Sequence, residues 1–388
     1  MRKQEIIDCT IRDGGYYTNW NFSEDFFHTY LKAVSKLPIS IIEIGYLSSK
    51  NDNNGAFFHL NNKIISKAKK IIKKKQKVFA MINFKEIKSH KCILNLLNNA
   101  DKIDGLRFAV HPKHLKKSLQ IINIVKKKYR KLSFNINLMY LSRWHNQNNF
   151  VTSIVKTINK FNKEKIIDVL TFVDSFGAMT PEKVNNFFHS INEKKLKNIN
   201  IGCHFHNNCN LALANALVAI NNCQFVDLTF LGFGRGAGNA ETELFLAIKF
   251  AKNNNIKDFT LDNLIEKLQI MKDDLKWGSS FAYAFAASNG FSQSEIMDLI
   301  VKRRLSPATA ANILGKNNSK SRFYKFKNLN YIKKIFLDKN NIPLFVGGGS
   351  RLVDQGRYFF SNINKKIPIV FSGSTALMNF IKLNFNFI

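Results

Sequence analysis

Eight short runs rich in β-branched and aromatic residues recur along the first two thirds of the chain. They are Glu5–Cys9, Ile41–Gly45, Val78–Ile82, Gly105–Phe108, Ser133–Leu138, Val169–Val173, Ile199–His206 and Phe225–Leu231. Between most of them lies an amphipathic, lysine-rich stretch: Phe26–Leu37, Asn61–Lys74, His114–Tyr129, Val151–Phe161, Pro181–Ile191 or Leu211–Ile220, with Glu241–Lys252 after the eighth. Strands alternating with crossover helices build a parallel sheet. Eight such repeats in roughly 250 residues satisfy a closed (β/α)8 barrel. The rival, an open doubly wound sheet, usually carries a Gly-rich phosphate turn after its first strand. Arg12-Asp13-Gly14-Gly15 is not one.

Past Lys252 the rhythm changes. Thr260–Asp274, Phe281–Phe285, Gln293–Lys302 and Ser306–Leu314 read as helices, with Ser306-Pro307 as N-cap and first helical residue. Residues 316–327 are polar and basic, as in a linker. Ile342–Val346, Gly347-Gly348-Gly349-Ser350 and Ile367–Phe371 look like the opening of a small α/β unit. Its glycine turn suits a phosphate or a plain tight turn equally. The predicted class is therefore α/β: a (β/α)8 TIM barrel with a C-terminal helical extension and a short α/β tail. The expected division is 1–255 for the catalytic barrel, 256–327 for the helical extension and linker, and 328–388 for the tail.

Composition narrows the partners. At 45% hydrophobic residues over 388 positions, the chain lies far from the disorder regime. No run of about 18 apolar residues occurs, so no membrane span is expected. A charged start interrupts any signal-type apolar region, and five cysteines without CxxC spacing fit a reduced cytoplasm. The net charge of +32 invites a polyanion partner. Yet Lys, Asn, Ile and Phe are in excess together, as an AT-rich genome would produce. The lysines form short runs such as 73–75 and 126–128 rather than interleaving with aromatics. No specific nucleic acid and no membrane partner are expected, and homo-oligomerisation is left open.

Barrel enzymes carry their chemistry at the C-terminal ends of strands. Polar residues concentrate there: Arg12 and Asp13 after the first run, Glu43 on the second, Arg107 on the fourth, and Asn135 and Asn137 on the fifth. Asp174 ends the sixth, His204 and His206 the seventh, and a glycine loop reaching Asn239 follows the eighth. On a strand, residues i and i+2 point the same way, so His204 and His206 converge within reach of one cation. With Asp13, expected on a loop after the first strand, they make a two-nitrogen, one-carboxylate set with open positions. Alone, the histidine pair reads equally as two packed imidazoles. Cys203 should point away from His204, which argues against thiolate ligation. Arg12 braced by Glu43 suits an oxyanion or carboxylate clamp, although a surface ion pair or a structural barrel-mouth carboxylate fits each of them as well.

Asp8-x-Thr10-Ile11-Arg12-Asp13-Gly14, Gly202-x-His204-x-His206-Asn207 and the stretch from Gly234 to Glu243 resemble three signatures of the DRE-TIM metallolyases. That superfamily includes 4-hydroxy-2-oxovalerate aldolase, 3-hydroxy-3-methylglutaryl-CoA lyase, and the isopropylmalate, homocitrate and citramalate synthases. Residues 173–181 are similar to its sixth-strand segment, and the likeness spans roughly residues 4–290. It implies Asp13, His204 and His206 as metal ligands with Asn239 added, Arg12 on the enolate oxygen, and Glu43 bracing Arg12. It implies Mn²⁺ or Mg²⁺, sometimes Zn²⁺, and 2-oxo acid and aldehyde substrates. By their places on or at the end of strand runs, Arg107, Asn137 and Asp174 are expected on the substrate side.

The departures carry weight. Phe230 stands where the lyases have a catalytic cysteine, and Tyr16 where the hydroxy-oxovalerate aldolases have a catalytic histidine. Tyr16 or Tyr17 suits a proton donor or substrate packing. The tail does not resemble the regulatory domain of the synthases. Residues 8–22 and 277–289 look most like aldolase-domain proteins of bacterial surface-polysaccharide gene clusters, whose longer members continue into a second α/β domain. The expected activity is a divalent-metal-dependent aldolase or lyase working through a pyruvate-type enolate. A Claisen-type acyl-CoA synthase and a non-catalytic, polyanion-binding barrel are the rivals.

Overall fold

The computed structural model describes residues 4–50, 52–250, 261–297 and 299–300. Its strands are β1 (Glu5–Asp8), β2 (Ile39–Tyr46), β3 (Lys77–Asn83), β4 (Gly105–Val110), β5 (Ser133–Leu138), β6 (Val169–Asp174), β7 (Asn200–Phe205) and β8 (Phe225–Leu228). They pair in parallel in chain order and close into a (β/α)8 TIM barrel, β1 meeting β8 from Glu5↔Phe225 to Asp8↔Leu228. The helices on the barrel are α1 (Thr10–Thr18), α2 (Glu24–Lys36), α3 (Asn62–Ile71), α4 (His90–Asn98), α5 (Leu115–Lys128), α6 (Leu141–Trp144), α7 (Asn148–Phe161), α8 (Pro181–Glu193), α9 (Ala212–Ala219) and α10 (Thr242–Phe250). Then comes α11 (Asp262–Leu275).

Local chemistry explains where the helices start. Ser23 accepts the amide of Phe26 at the head of α2, and Asn61 accepts those of Lys63 and Ile64 at α3. Thr180 caps α8 just ahead of Pro181. Each helix then buries one stripe against the strands. In α2 that stripe is Phe26, Phe27, Tyr30, Leu31 and Val34, and each such side chain contributes about 1.5–3 kcal/mol on burial. Lysines occupy the outer faces, as at Lys126, Lys127 and Lys128 in the last turn of α5. Inside the barrel Ile7, Cys9, Ile41 and Phe79 form an apolar plug with Phe225, and polar residues take over above it.

Several boundaries differ from the sequence reading, and three of them bear on the site. Asp13 sits not on a loop but in α1, which starts directly after β1. β7 ends at Phe205, so His206 lies one residue beyond it, bridged in antiparallel fashion to Asn239. β8 ends at Leu228, and Phe230–Gly232 form a tight turn rather than more strand. Helices α1, α4 and α6 are additions to the expected set.

The chain divides into two compact units, Met1–Ser279 and Ser280–Ile388. Within the second unit, α12 (Phe281–Asn289) and α13 (Gln293–Met297) are described. The expected helix at 306–314, the linker at 316–327 and the tail at 328–388 lie outside the described residues. No helix among the described residues is long and apolar enough to cross a membrane.

Candidate active site

β1 and α1 deliver the first half of the site. Buried Asp8 accepts the amide of Thr10, the Tyr30 hydroxyl at 2.6 Å and the Thr242 hydroxyl, which ties the start of α1 to α2 and α10. Helix α1 runs past the barrel mouth with Gly14 facing the glycine loop, where a Cβ would lie 2.3 Å from the Phe233 ring. Arg12 and Asp13 are buried side by side. Arg12 Nε donates to Glu43 Oε2 at 2.8 Å and Nη1 to Asp13 Oδ1 at 2.5 Å. A guanidinium held at two nitrogens cannot swing, which is what a fixed oxyanion donor requires.

β7 delivers the imidazoles. His206 Nδ1 lies 2.9 Å from the Asp174 carbonyl, which only accepts, so this nitrogen carries the proton and Nε2 keeps its lone pair. His204 Nδ1 lies 3.1 Å from Asp227 Oδ2, so its Nδ1–H is likewise spent on an acceptor and Nε2 is the nitrogen left for a cation. One ligand atom from each of Asp13, His204 and His206 falls within 4.8 Å of the others, and all three residues are buried. Burial, the neighbouring His204 and Arg235 hold His206 well below the usual histidine range, so it is neutral. Burial pushes Asp13 up, but Arg12, His206, His204 and Arg235 outweigh it and hold its carboxyl well below the usual range. Two imidazoles and one ionised carboxylate form a donor set that a divalent cation fits.

Asn239 supplies a further observation. Its Nδ2 donates to Asp13 Oδ2 at 2.5 Å, while its buried Oδ1 has no partner among the described residues. An unpaired, buried amide oxygen beside a carboxylate is costly unless something cationic meets it. Gly234 makes room for the pair: a Cβ there would sit 2.2 Å from Asn239 Nδ2 and 2.7 Å from Asp13 Oδ2.

Below this cluster runs a buried ionic layer. Arg107 Nη1 donates to Glu43 Oε2 at 3.1 Å, and Nη2 to Asp227 Oδ2 at 2.5 Å. Glu43 therefore serves two arginines, and Asp227 serves Arg107 and His204. Burial lifts the Asp227 carboxyl, but Arg107 and His204 pull it below the ordinary value overall. Cys9, His204 and Asp227 also approach one another, yet burial, Asp227 and Glu43 push the Cys9 thiol well up. Arg107 stands 3.4 Å from the Cys9 sulfur, a poor setting for a second cation.

The other expected positions fall around this centre. Tyr16 is half-buried, its hydroxyl 3.3 Å from that of Tyr46 and its ring under the Arg235 guanidinium at 5.3 Å. Asn137 is buried at the end of β5 with Oδ1 unpartnered among the described residues. Asp174 Oδ2 accepts the amide of Met179, and burial raises its carboxyl. Arg107 has its guanidinium within the ionic layer. Cys203 turns its sulfur to the Phe225 carbonyl. Sequence reasoning missed Asp227. It stands inside Phe225-Val226-Asp227-Leu228, where a lone carboxylate in an apolar run was the available signal.

Comparisons with known proteins bear on the fold and the family. The HMGL-like family model matches residues 108–268. The chain is 23% identical to an oxaloacetate decarboxylase of Mycobacterium tuberculosis over 63% of its own length and 70% of that protein. It is 25% identical to 4-hydroxy-2-oxovalerate aldolase 2 of Salinispora arenicola, over 63% of this chain and 68% of that one. Among solved structures, the N-terminal domain of a proposed aldolase from Bacteroides vulgatus superposes with a TM-score of 0.68 at 31% identity. The match covers 76% of this chain and 96% of that domain. With a closed barrel, a matching family model and a near-complete overlay at this identity, the chain belongs to the HMGL-like family of carbon–carbon lyases, within the DRE-TIM metallolyase superfamily.

Proposed function

We propose that the protein makes or breaks a carbon–carbon bond through the enolate of a pyruvate-type 2-oxo acid, with a divalent cation held by Asp13, His204, His206 and Asn239. The observation that carries this reading is the pair of imidazoles whose Nδ1 atoms each face an oxygen acceptor, which leaves both Nε2 nitrogens for a cation, beside an ionised Asp13. A cation there, Mn²⁺ or Mg²⁺ with Zn²⁺ as alternative, supplies a Lewis acid that polarises the keto oxygen of the substrate.

The chain's own groups do the rest. Arg12, fixed through Nε and Nη1, has Nη2 outside those two bonds and offers it to the oxygen where enolate charge develops. Glu43 holds Arg12 in that pose. Arg107 and Asp227 act one step back, the first by neutralising Glu43 and Asp227, the second by fixing the His204 tautomer. Asn137 and Asp174 line the substrate side. Tyr16, half-buried at the mouth and hydrogen-bonded to Tyr46, is the candidate proton donor. Phe230 is buried near Tyr30, with ring centroids 6.5 Å apart, and brings no thiol to the site, which disfavours the cysteine route to acyl-CoA cleavage. A cytoplasmic setting, supported by five free cysteines, and a role in surface-polysaccharide synthesis, supported by the resemblance of residues 8–22 and 277–289, belong to the same proposal.

Deuterium exchange tests the chemistry without knowledge of the aldehyde. With Mn²⁺ present, the pyruvate methyl signal should disappear in deuterated solvent, and a chelator should stop the loss. Arg12→Ala should keep the metal and slow exchange by about 10²-fold, the order of one lost oxyanion donor. If neither pyruvate nor 2-oxobutyrate exchanges, alone or with an added aldehyde, while the metal is bound, the reading fails.

A further inference from the structure

The glycine loop that carries Asn239 begins at a strained residue. Leu231 adopts φ +48° and ψ 27°, left-handed backbone that disfavours a branched apolar side chain. A leucine side chain carries no polar group with which to bond the backbone and offset that cost. Its backbone is gripped from two sides instead. Both carboxylate oxygens of Glu243, at 3.1 and 3.2 Å, accept its N–H, and its carbonyl accepts Trp277 Nε1 at 2.9 Å.

The strain sits one residue from the loop's hinge to the site. Gly232, next in the chain, accepts the Asn239 amide at 3.1 Å, and a Cβ on Gly238 would stand 2.1 Å from the Gly232 oxygen. Asn239 then reaches Asp13 through its side chain. A short route thus runs from Glu243 through the Leu231 amide and the Gly232 carbonyl to Asn239. Glu243 holds the Leu231 amide rather than Asn239 or Asp13, so its effect on those two passes through the loop backbone. We propose that Glu243 is a positioning residue: by holding Leu231 in its left-handed conformation, it sets the loop that presents Asn239 beside Asp13. This deepens the metal-centred reading above, since Asn239 is part of the proposed donor set, but the loop claim can be read with no metal present.

A double-mutant cycle decides it. Glu243→Leu removes both acceptors, Glu243→Gln keeps one, and Leu231→Gly removes the conformational cost that Glu243 offsets. In the metal-free protein, amide hydrogen exchange of the 229–240 segment should rise about tenfold in Glu243→Leu and stay near wild type in Glu243→Gln. In the Leu231→Gly background, adding Glu243→Leu should change it less than about threefold. Mn²⁺ affinity by calorimetry should follow the same pattern, with about a tenfold loss, about no loss, and a reduced loss. Unchanged exchange in a folded Glu243→Leu, or an equal effect in both backgrounds, overturns the positioning role. Altered exchange together with a wild-type protein that binds no Mn²⁺ would keep the loop role and sink the metal reading instead. If Glu243→Leu fails to fold alone, recovery of a folded protein when Leu231→Gly is added supports the role, because the glycine removes the cost that Glu243 offsets, and failure to fold in that background too overturns it.

Discussion

Asp227→Asn strikes the layer beneath the metal-ligand candidates. The wild-type carboxylate takes Arg107 Nη2 at 2.5 Å through Oδ2 and His204 Nδ1 at 3.1 Å through the same oxygen, all without solvent. Asparagine keeps the shape and loses the charge. Arg107 is then left with Glu43 alone as counter-ion, and Glu43 already serves Arg12. Breaking a buried pair in this way costs about 3–5 kcal/mol, which lowers the melting temperature of a barrel this size by roughly 10 °C. The second effect is chemical. An asparagine amide can donate to His204 Nδ1, which stabilises the tautomer with its proton on Nε2, the nitrogen that must be free to bind a cation. Metal affinity should fall about 10- to 100-fold, as for other outer partners of ligating histidines. Thermal unfolding with and without Mn²⁺, alongside calorimetric titration, measures both. A folded Asp227→Asn protein with wild-type Mn²⁺ affinity would refute the tautomer argument.

Gly234→Ala should drive Asn239 off Asp13, because the new methyl would stand 2.2 Å from Asn239 Nδ2; calorimetry should show at least about a tenfold weaker Mn²⁺ site. Burial pushes Glu243 from the usual 4.5 up to about 7, so its contribution to stability is complete below about pH 4.5 and lost as pH rises through 7. Discounted for its partial exposure, that contribution is about 1–3 kcal/mol. Glu243→Gln, which does not titrate, should therefore gain on wild type between pH 5 and pH 8 in denaturant unfolding, and an unchanged difference would contradict this. If the +32 charge is compositional, binding to random duplex DNA should fall away by about 0.2 M salt, whereas saturable, sequence-selective binding at that salt would overturn that reading.

What could be read in the sequence was whatever has a fixed period or a fixed neighbour. His204-x-His206 declares itself because strand alternation sends both imidazoles to one side. The pairing of Arg12 with Glu43 follows from adjacent strand ends, and the 2.8 Å contact agrees with it. Helix α1 was illegible because Gly14 and Gly15 are poor helix formers, and tertiary contacts at Asp8, Trp20 and Phe233 hold the segment instead. Arg107 read as a substrate contact by its place near a strand end, whereas its partners come from β2 and β8, 64 and 120 residues away. Asp227 showed only as a lone carboxylate in an apolar run, and Glu243 only as the last residue of the glycine-loop stretch. Their roles lie in which backbone or ring they meet, and no local pattern records that.

The central claim is that Asp13, His204 and His206 together hold one divalent cation. Metal analysis of the protein loaded with Mn²⁺ and then desalted, wild type beside His206→Ala, tests it most directly, with circular dichroism to verify that the variant is folded. The expected result is about one equivalent per chain in wild type and little in the variant, since a three-residue donor set loses most of its hold with one ligand gone. Full occupancy in a folded His206→Ala protein would contradict the assignment.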